Sequence, residues 1–115
     1  MKGTATVDIY SLGQPFFEGI LVNFQQVFES EIEFTFDSEN LVLINESVFL
    51  SKTNPVKRRF YVFSTQEETI ERAMIDILEL FYRKGSFVLY DRSINQRFFF
   101  PNGAISMIKY SVSIQ

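Results

Sequence analysis

The side chains of this sequence that could transfer protons are those of Asp, Glu, Tyr and Lys, because the chain contains no His and no Cys. Paired carboxylates can cleave glycosidic bonds, but no spacing along the chain singles out such a pair. A Ser–His or Cys–His nucleophile cannot form, and the usual ligands of zinc, haem and iron–sulfur clusters are missing. Glycine-rich phosphate-binding motifs and the G-x-S-x-G turn are absent as well. We therefore expect a protein that is not an enzyme and that uses no cofactor or metal.

Two charged segments could bind ions or nucleic acid. Glu31, Glu33 and Asp37 lie on one face of a predicted strand, where carboxylate oxygens could hold a hard cation, although such faces are commonly just solvated. A basic segment before Phe60 contains Lys52, Lys57, Arg58 and Arg59. Cations beside aromatic rings occur in single-strand binders. The net charge of −3 disfavours nucleic acid, so we interpret both segments as surfaces for contact with protein chains.

The fourteen phenylalanines exceed the number that we expect the core to bury. Neighbouring residues of a strand point to opposite faces, so the run Phe98-Phe99-Phe100 makes at least one face of its strand aromatic. Exposed aromatic clusters mark protein interfaces. One interpretation is that Phe16, Phe49, Phe98 or Phe100 lies on an outer face and packs on a partner chain. The alternative is that all the rings fill an aromatic core.

Two helices are predicted. The first begins at Pro15 and carries a stripe at spacings of three and four, namely Phe17, Ile20, Leu21, Phe24 and Phe28. The second begins with a capping box from Thr65 to Glu68. Its buried stripe is Ile70, Ala73, Met74, Ile77, Leu78 and Phe81. Arg83 and Lys84 suit its negative end, and Gly85 suits the position after it.

Seven strands are predicted from alternation and from turn residues. Their approximate ranges are 4–10, 31–37, 41–50 with a possible bulge at 45–47, 60–63, 87–90, 97–100 and 104–115. The segment 51–59 is predicted as a hairpin loop or mobile arm. Near Met107 the apolar pattern changes face, which indicates a bulge or burial on both sides. The last strand, which contains Tyr110, has the edge that we most expect a neighbouring chain to complete.

These elements predict one α+β domain over residues 1–115. Two helices pack on one face of a mainly antiparallel sheet, in the order β-α-β-β-β-α-β-β-β. This order resembles that of small α+β phage tail-terminator and head–tail connector proteins, which close into rings. The resemblance covers the order of elements only. It implies a head-to-tail contact between the basic segment of one copy and the acidic strand of the next.

We therefore expect a structural or assembly subunit that acts through protein–protein contacts and forms a homo-oligomer or a larger assembly. One alternative is a small monomeric inhibitor or adaptor that binds one larger protein. Another is a domain that binds a small apolar ligand between sheet and helices. The sequence shows neither a signal peptide nor a membrane span, so we expect a location in the cytoplasm or in a virion and no membrane partner.

Overall fold

The computed structural model describes residues 1–46, 48–82 and 85–115, in which it forms nine strands and one helix. In chain order these are β1 (Lys2–Ser11), β2 (Gln14–Phe28), β3 (Glu31–Phe36), β4 (Leu41–Asn45), β5 (Val48–Ser51), β6 (Val56–Arg59), α1 (Gln66–Tyr82), β7 (Phe87–Asp91), β8 (Gln96–Phe100) and β9 (Ile105–Ile114). The predicted α+β fold with two helices on one sheet is therefore wrong. The resemblance to ring-forming phage proteins loses its basis, because it depended on the order of elements.

The strands form two antiparallel sheets. The five-stranded sheet has the order β6-β3-β2-β1-β9, and the four-stranded sheet has the order β5-β4-β7-β8. Residues from both sheets and from α1 meet in one hydrophobic core. The largest fully buried side chains include Phe34, Phe36, Leu43, Leu89 and Met74. Each sheet thus has an inner face on the core and an outer face.

The first predicted helix is strand β2, and a β-bulge explains the error. The side chains of Phe17, Ile20, Val22 and Phe24 pack into or against the core, so the inward positions are spaced by three, two and two. The extra residue lies beside Gly19, where the register between β1 and β2 shifts. Gly19 has φ 71° and donates its N–H to Oδ1 of Asp8 at 2.8 Å. Glycine adopts this left-handed conformation without steric cost, and the inserted residue imitates helical spacing.

Three further local predictions need correction. Val56–Arg59 is strand β6 and not part of a loop, because it pairs with β3. The segment 60–63 lies outside every strand of the described chain. The polar interruption after Ile44 is a connection between two antiparallel strands, since Asn45 pairs with Val48. Ser47, which belongs to that connection, lies outside the described residues.

Helix α1 confirms the second predicted helix. The backbone N–H of Glu68 donates to Oγ1 of Thr65 at 3.1 Å, and Oε2 of Glu68 accepts the hydroxyl of Ser64 at 2.7 Å. The hydrogen bonds that the Glu68 carboxylate accepts, first from Ser64 and then from the hydroxyl of Thr65, lower the pKa of Glu68. The predicted stripe is buried throughout. Gly85 has φ 86° after the helix, and the predicted roles of Arg83 and Lys84 lie outside the described residues.

The face change in the last strand is a bulge. Tyr10 pairs with Met107 but Ser11 pairs with Ile105, so Ser106 is an extra residue in β9. The hydroxyl of Ser106 accepts the backbone N–H of Gly13 at 3.1 Å. From Ile108 onward, alternate residues of β9 then face the core beside β1. One of the two explanations offered by the sequence is thereby confirmed.

Candidate functional site

The acidic and basic residues predicted to face different copies of the chain lie opposite each other within one sheet. Glu31 pairs with Arg59 and Glu33 pairs with Lys57 across the β3–β6 ladder. Directly opposed residues of antiparallel strands are close enough for their charges to interact. Lys52 is also engaged within the chain, with its Nζ 3.4 Å from Oδ1 of Asp37. The acidic and basic residues of these segments are therefore neighbours within one molecule.

Reversing two of these charges should destabilise the fold. In Lys57→Glu with Arg59→Glu, each new carboxylate lies opposite an existing one, and we expect the free energy of unfolding to fall by about 1 kcal/mol. Urea unfolding at low salt measures this change, and added salt should reduce it by screening. A variant as stable as the parent at low salt would show that these cross-strand pairs contribute nothing.

Arg58 is set apart from its neighbours on β6 by its half-buried side chain. Its Nε is buried and has no hydrogen-bond partner among the described residues. The side chain lines an open depression of about 580 Å³ together with Arg59, Glu46, Asp76 and Glu79. Asp76 and Glu79 are themselves engaged in interactions. Because this lining mixes both signs of charge, it selects no class of charged ligand.

The prediction that Phe98 or Phe100 lies on an outer face is wrong. Phe98 pairs with Leu89 and Phe100 pairs with Phe87, which places both on the inner face of the four-stranded sheet. Phe100 is 4% exposed, and its ring stacks on that of Phe87 with the centroids 4.7 Å apart. Phe98 is half-buried against the core. The residue of this run that faces outward is Phe99.

Tyr110, another residue predicted at an interface, also points inward. It lies on the core side of β9, half-buried, and its hydroxyl donates to Oε2 of Glu71 at 2.5 Å. Burial and this hydrogen bond to a carboxylate raise the pKa of Tyr110 to about 12. The bond links α1 to β9. Tyr110 therefore already has a structural partner within the chain.

An apolar row crosses the outer face of the four-stranded sheet. It contains one residue from each strand, in the order Phe49, Ile44, Val88 and Phe99, and each is paired with the next. Phe49 is 53% exposed and Phe99 is 64% exposed, while the two central residues are half-buried. We call these four residues the outer row. They form a continuous apolar strip across the full width of the sheet.

The neighbouring row on the same face is covered by its own side chains. Val42 is 4% exposed, and the pairing places Tyr90 and Arg97 beside it. The guanidinium of Arg97 lies over the ring of Tyr90, 4.0 Å from the centroid, in a cation–π contact. Ser51, on the other side of Val42, is buried and bonded to Asn54. The outer row has no such cover within the described chain.

The five-stranded sheet provides an internal comparison. A register row on its outer face contains Ser113, Thr4, Asn23 and Thr35 in that order. These side chains are all polar, as expected for a face that meets water. The outer face of the four-stranded sheet departs from this pattern only along the outer row and Val42. This row of the five-stranded sheet is thus polar where the outer row is apolar, while Leu21 and the Tyr10–Met107 pair lie in other rows of the same outer face.

Other kinds of site find little support in the described residues. Within residues 1–46, 48–82 and 85–115, no three acidic side chains lie close enough together to hold a metal ion. No helix in those ranges has the length and apolar character needed to cross a bilayer. Comparisons with protein-family models, curated proteins and solved structures found no match to this chain. The outer row is therefore interpreted from its own physical chemistry.

The sequence contained part of the signal for the outer row. Phe49 was predicted at an outer face, and the run Phe98-Phe99-Phe100 required an aromatic ring on that face. Ile44 and Val88 could not be assigned to the same strip, because their alignment depends on the pairing of β4 with β7. These strands are far apart in the chain, and no short-range pattern fixes their register.

Proposed function

We propose that the protein is a non-enzymatic subunit that acts through contacts with other protein chains, and that the outer row belongs to its contact surface. The observation that carries this proposal is the continuous apolar strip on the outer face of the four-stranded sheet, in which Phe49 and Phe99 are exposed. Exposed contiguous apolar patches are rare on monomers and mark interaction sites. Aromatic residues are also enriched at the centres of such interfaces.

The size of the outer row sets a limit on what it can do alone. Burying a fully exposed large apolar side chain contributes roughly 1.5–3 kcal/mol, so two half-exposed phenylalanines contribute roughly 3 kcal/mol together. Association costs on the order of 4–15 kcal/mol in lost translational and rotational freedom. The outer row is thus a central part of a contact, and a stable contact must include further surface.

The first test is the absolute mass of the protein in solution. Light scattering on a size-exclusion column, at two protein concentrations and two salt concentrations, should give a mass above that of the 13.5 kDa chain. Because apolar burial is not screened by salt, we expect the association to persist at high salt. A monomer under all four conditions would contradict self-association and favour a small inhibitor or adaptor that binds a larger protein.

A further inference from the structure

A second group of exposed apolar side chains lies beside the C-terminal end of β2. Three of its side chains are among the most exposed of the large hydrophobic residues: Tyr61 at 81%, Phe28 at 70% and Val62 at 67%. The segment 60–63 is fixed beside the β2–β3 turn, because the backbone N–H of Phe60 donates to the carbonyl of Ser30 at 2.9 Å. We call Phe28, Tyr61, Val62 and Phe63 the Tyr61 surface.

The Tyr61 surface includes a segment that has the composition of a strand but pairs with none. Phe, Tyr and Val are the residues most favoured in strands, which is why the sequence predicts a strand at 60–63. In the described chain no strand pairs with this segment. Phe63 donates its N–H to Oγ1 of Thr69 at 3.1 Å, a side-chain contact outside any ladder. A sheet edge supplied by another chain would complete the pairing.

A suitable edge lies beside the outer row. β8 is the last strand of the four-stranded sheet, and its outer side has no strand partner within the described residues. Next to it lies a groove of about 480 Å³, lined mainly by apolar residues that include Leu12, Phe16 and Phe99. Leu12 is 92% exposed at the tip of the β1–β2 hairpin. This β8 groove therefore combines free backbone groups with an apolar lining.

Charged side chains lie beside both surfaces. Arg97 is the charged side chain in the lining of the β8 groove. Glu29, which is exposed, is the charged side chain in the lining of the depression beside Val62 and Phe63. The guanidinium of Arg72 also lies over the ring of Phe63, 5.4 Å from its centroid, so the Tyr61 surface carries charges of both signs, of which Glu29 is the one that suits Arg97.

The two surfaces cannot meet within one molecule. Phe16 lies near the start of β2 and Phe28 at its end, twelve residues later, and a strand rises about 3.3 Å per residue. The longest dimension of the molecule is 39 Å, so the two surfaces lie toward opposite ends of the fold. A second copy of the chain can cover both kinds of surface with one repeated contact. An isologous dimer through the outer row would leave the Tyr61 surface exposed.

We propose that the subunits associate head to tail, with the segment Tyr61–Phe63 of one copy lying along the β8 groove of the next. This inference rests on the proposed self-association and names the surfaces that produce it. The side chains of Tyr61 and Val62 pack against Leu12 and Phe99, and Glu29 lies near Arg97. Each copy then has one groove and one segment, so the contact repeats from copy to copy.

Two variants, alone and mixed, test this arrangement. The groove variant is Leu12→Asn with Phe99→Asp, and the segment variant is Tyr61→Ser with Val62→Asp. All four positions are exposed, so both variants should keep the melting temperature within a few degrees. We expect each variant alone to be a 13.5 kDa monomer and the equimolar mixture to give twice that mass. In the mixture, the intact groove of one variant receives the intact segment of the other.

The other outcomes separate this inference from the proposed function. A wild-type protein that is monomeric contradicts the head-to-tail contact and the self-association on which it rests, but leaves contact with a different protein as the function. A wild-type oligomer whose two variants remain oligomeric contradicts only the head-to-tail contact. A third outcome is that the groove variant is monomeric, the segment variant is oligomeric and mixing the two does not restore association of the groove variant. That outcome indicates an isologous contact and also overturns the inference. Ile94→Asp is the matched control, since Ile94 is 57% exposed in the β7–β8 turn outside both surfaces, and it should leave the mass unchanged.

Discussion

Phe100→Ser should lower the free energy of unfolding by about 3–5 kcal/mol, whereas Phe99→Ser should leave it nearly unchanged. The two residues are adjacent on β8 but face opposite sides of the sheet. Phe100 is 4% exposed, stacked on Phe87 and in edge contact with Phe16 at 5.3 Å between centroids. Removing its ring leaves a cavity and places a hydroxyl in the core. Urea denaturation of both variants measures the difference.

The same pair separates stability from association. Phe99 is 64% exposed and contributes its ring to the outer row, so Phe99→Ser should weaken self-association at unchanged stability. Light scattering on the folded variant at several concentrations measures this effect. Equal losses of stability in the two variants would show that β8 does not have the inner and outer faces described above.

Ile77→Ala should cost about 2–5 kcal/mol, and Ile75→Ala on the same helix should cost less than about 1 kcal/mol. Ile77 is 1% exposed in the core, and Ile75 is 40% exposed on the opposite side of α1. The two substitutions remove the same atoms and change helix propensity equally, so their difference reports burial alone. Thermal unfolding followed by circular dichroism provides the comparison. Similar melting temperatures of the two variants would mean that α1 does not bury the face that carries Ile77.

The elements predicted correctly from the sequence are those whose signals are local. Helix α1 has a capping hydroxyl at Thr65, a regular apolar stripe and a glycine after its end, and all three lie within twenty-one residues. Strand β3 alternates without interruption, because the extra residue at its irregular pairing with β2 lies in β2. In both elements the pattern of burial repeats the pattern of sequence, so local reasoning is sufficient.

Strand β2 was not predictable in the same way, because its periodicity depends on a contact with another strand. The bulge at Gly19 is stabilised by Asp8, which belongs to β1. Read without β1, the spacing from Phe17 to Ile20 is helical. The glycine itself was a signal, since glycine weakens a helix but favours a bulge. Tertiary pairing decided the outcome.

The candidate site was predictable only in part for a related reason. A run of three phenylalanines implies an exposed ring, but the sequence does not show which of the three it is. The pairing of β8 with β7 answers this by placing Phe98 and Phe100 opposite buried partners. The charged segments misled the prediction because β6 is too short and too polar to be recognised as a strand. Its four residues contain three cations.

The bulge at Gly19 also marks the point in β2 at which the spacing of the inward-facing residues changes. Before the bulge Phe17 packs against the core, and after it the even-numbered residues from Ile20 to Phe24 do so. With Gly19 deleted, Phe17, Ile20 and Val22 would fall at strictly alternate positions and could all still face the core, but the pairing of β2 with β1 on one side of the bulge would have to shift by one residue. The extra residue at Gly19 therefore determines how the hairpin end of β2 pairs with β1. A substitution at Gly19 keeps that pairing but places a side chain at φ 71°, whereas a change of length by one residue shifts the pairing.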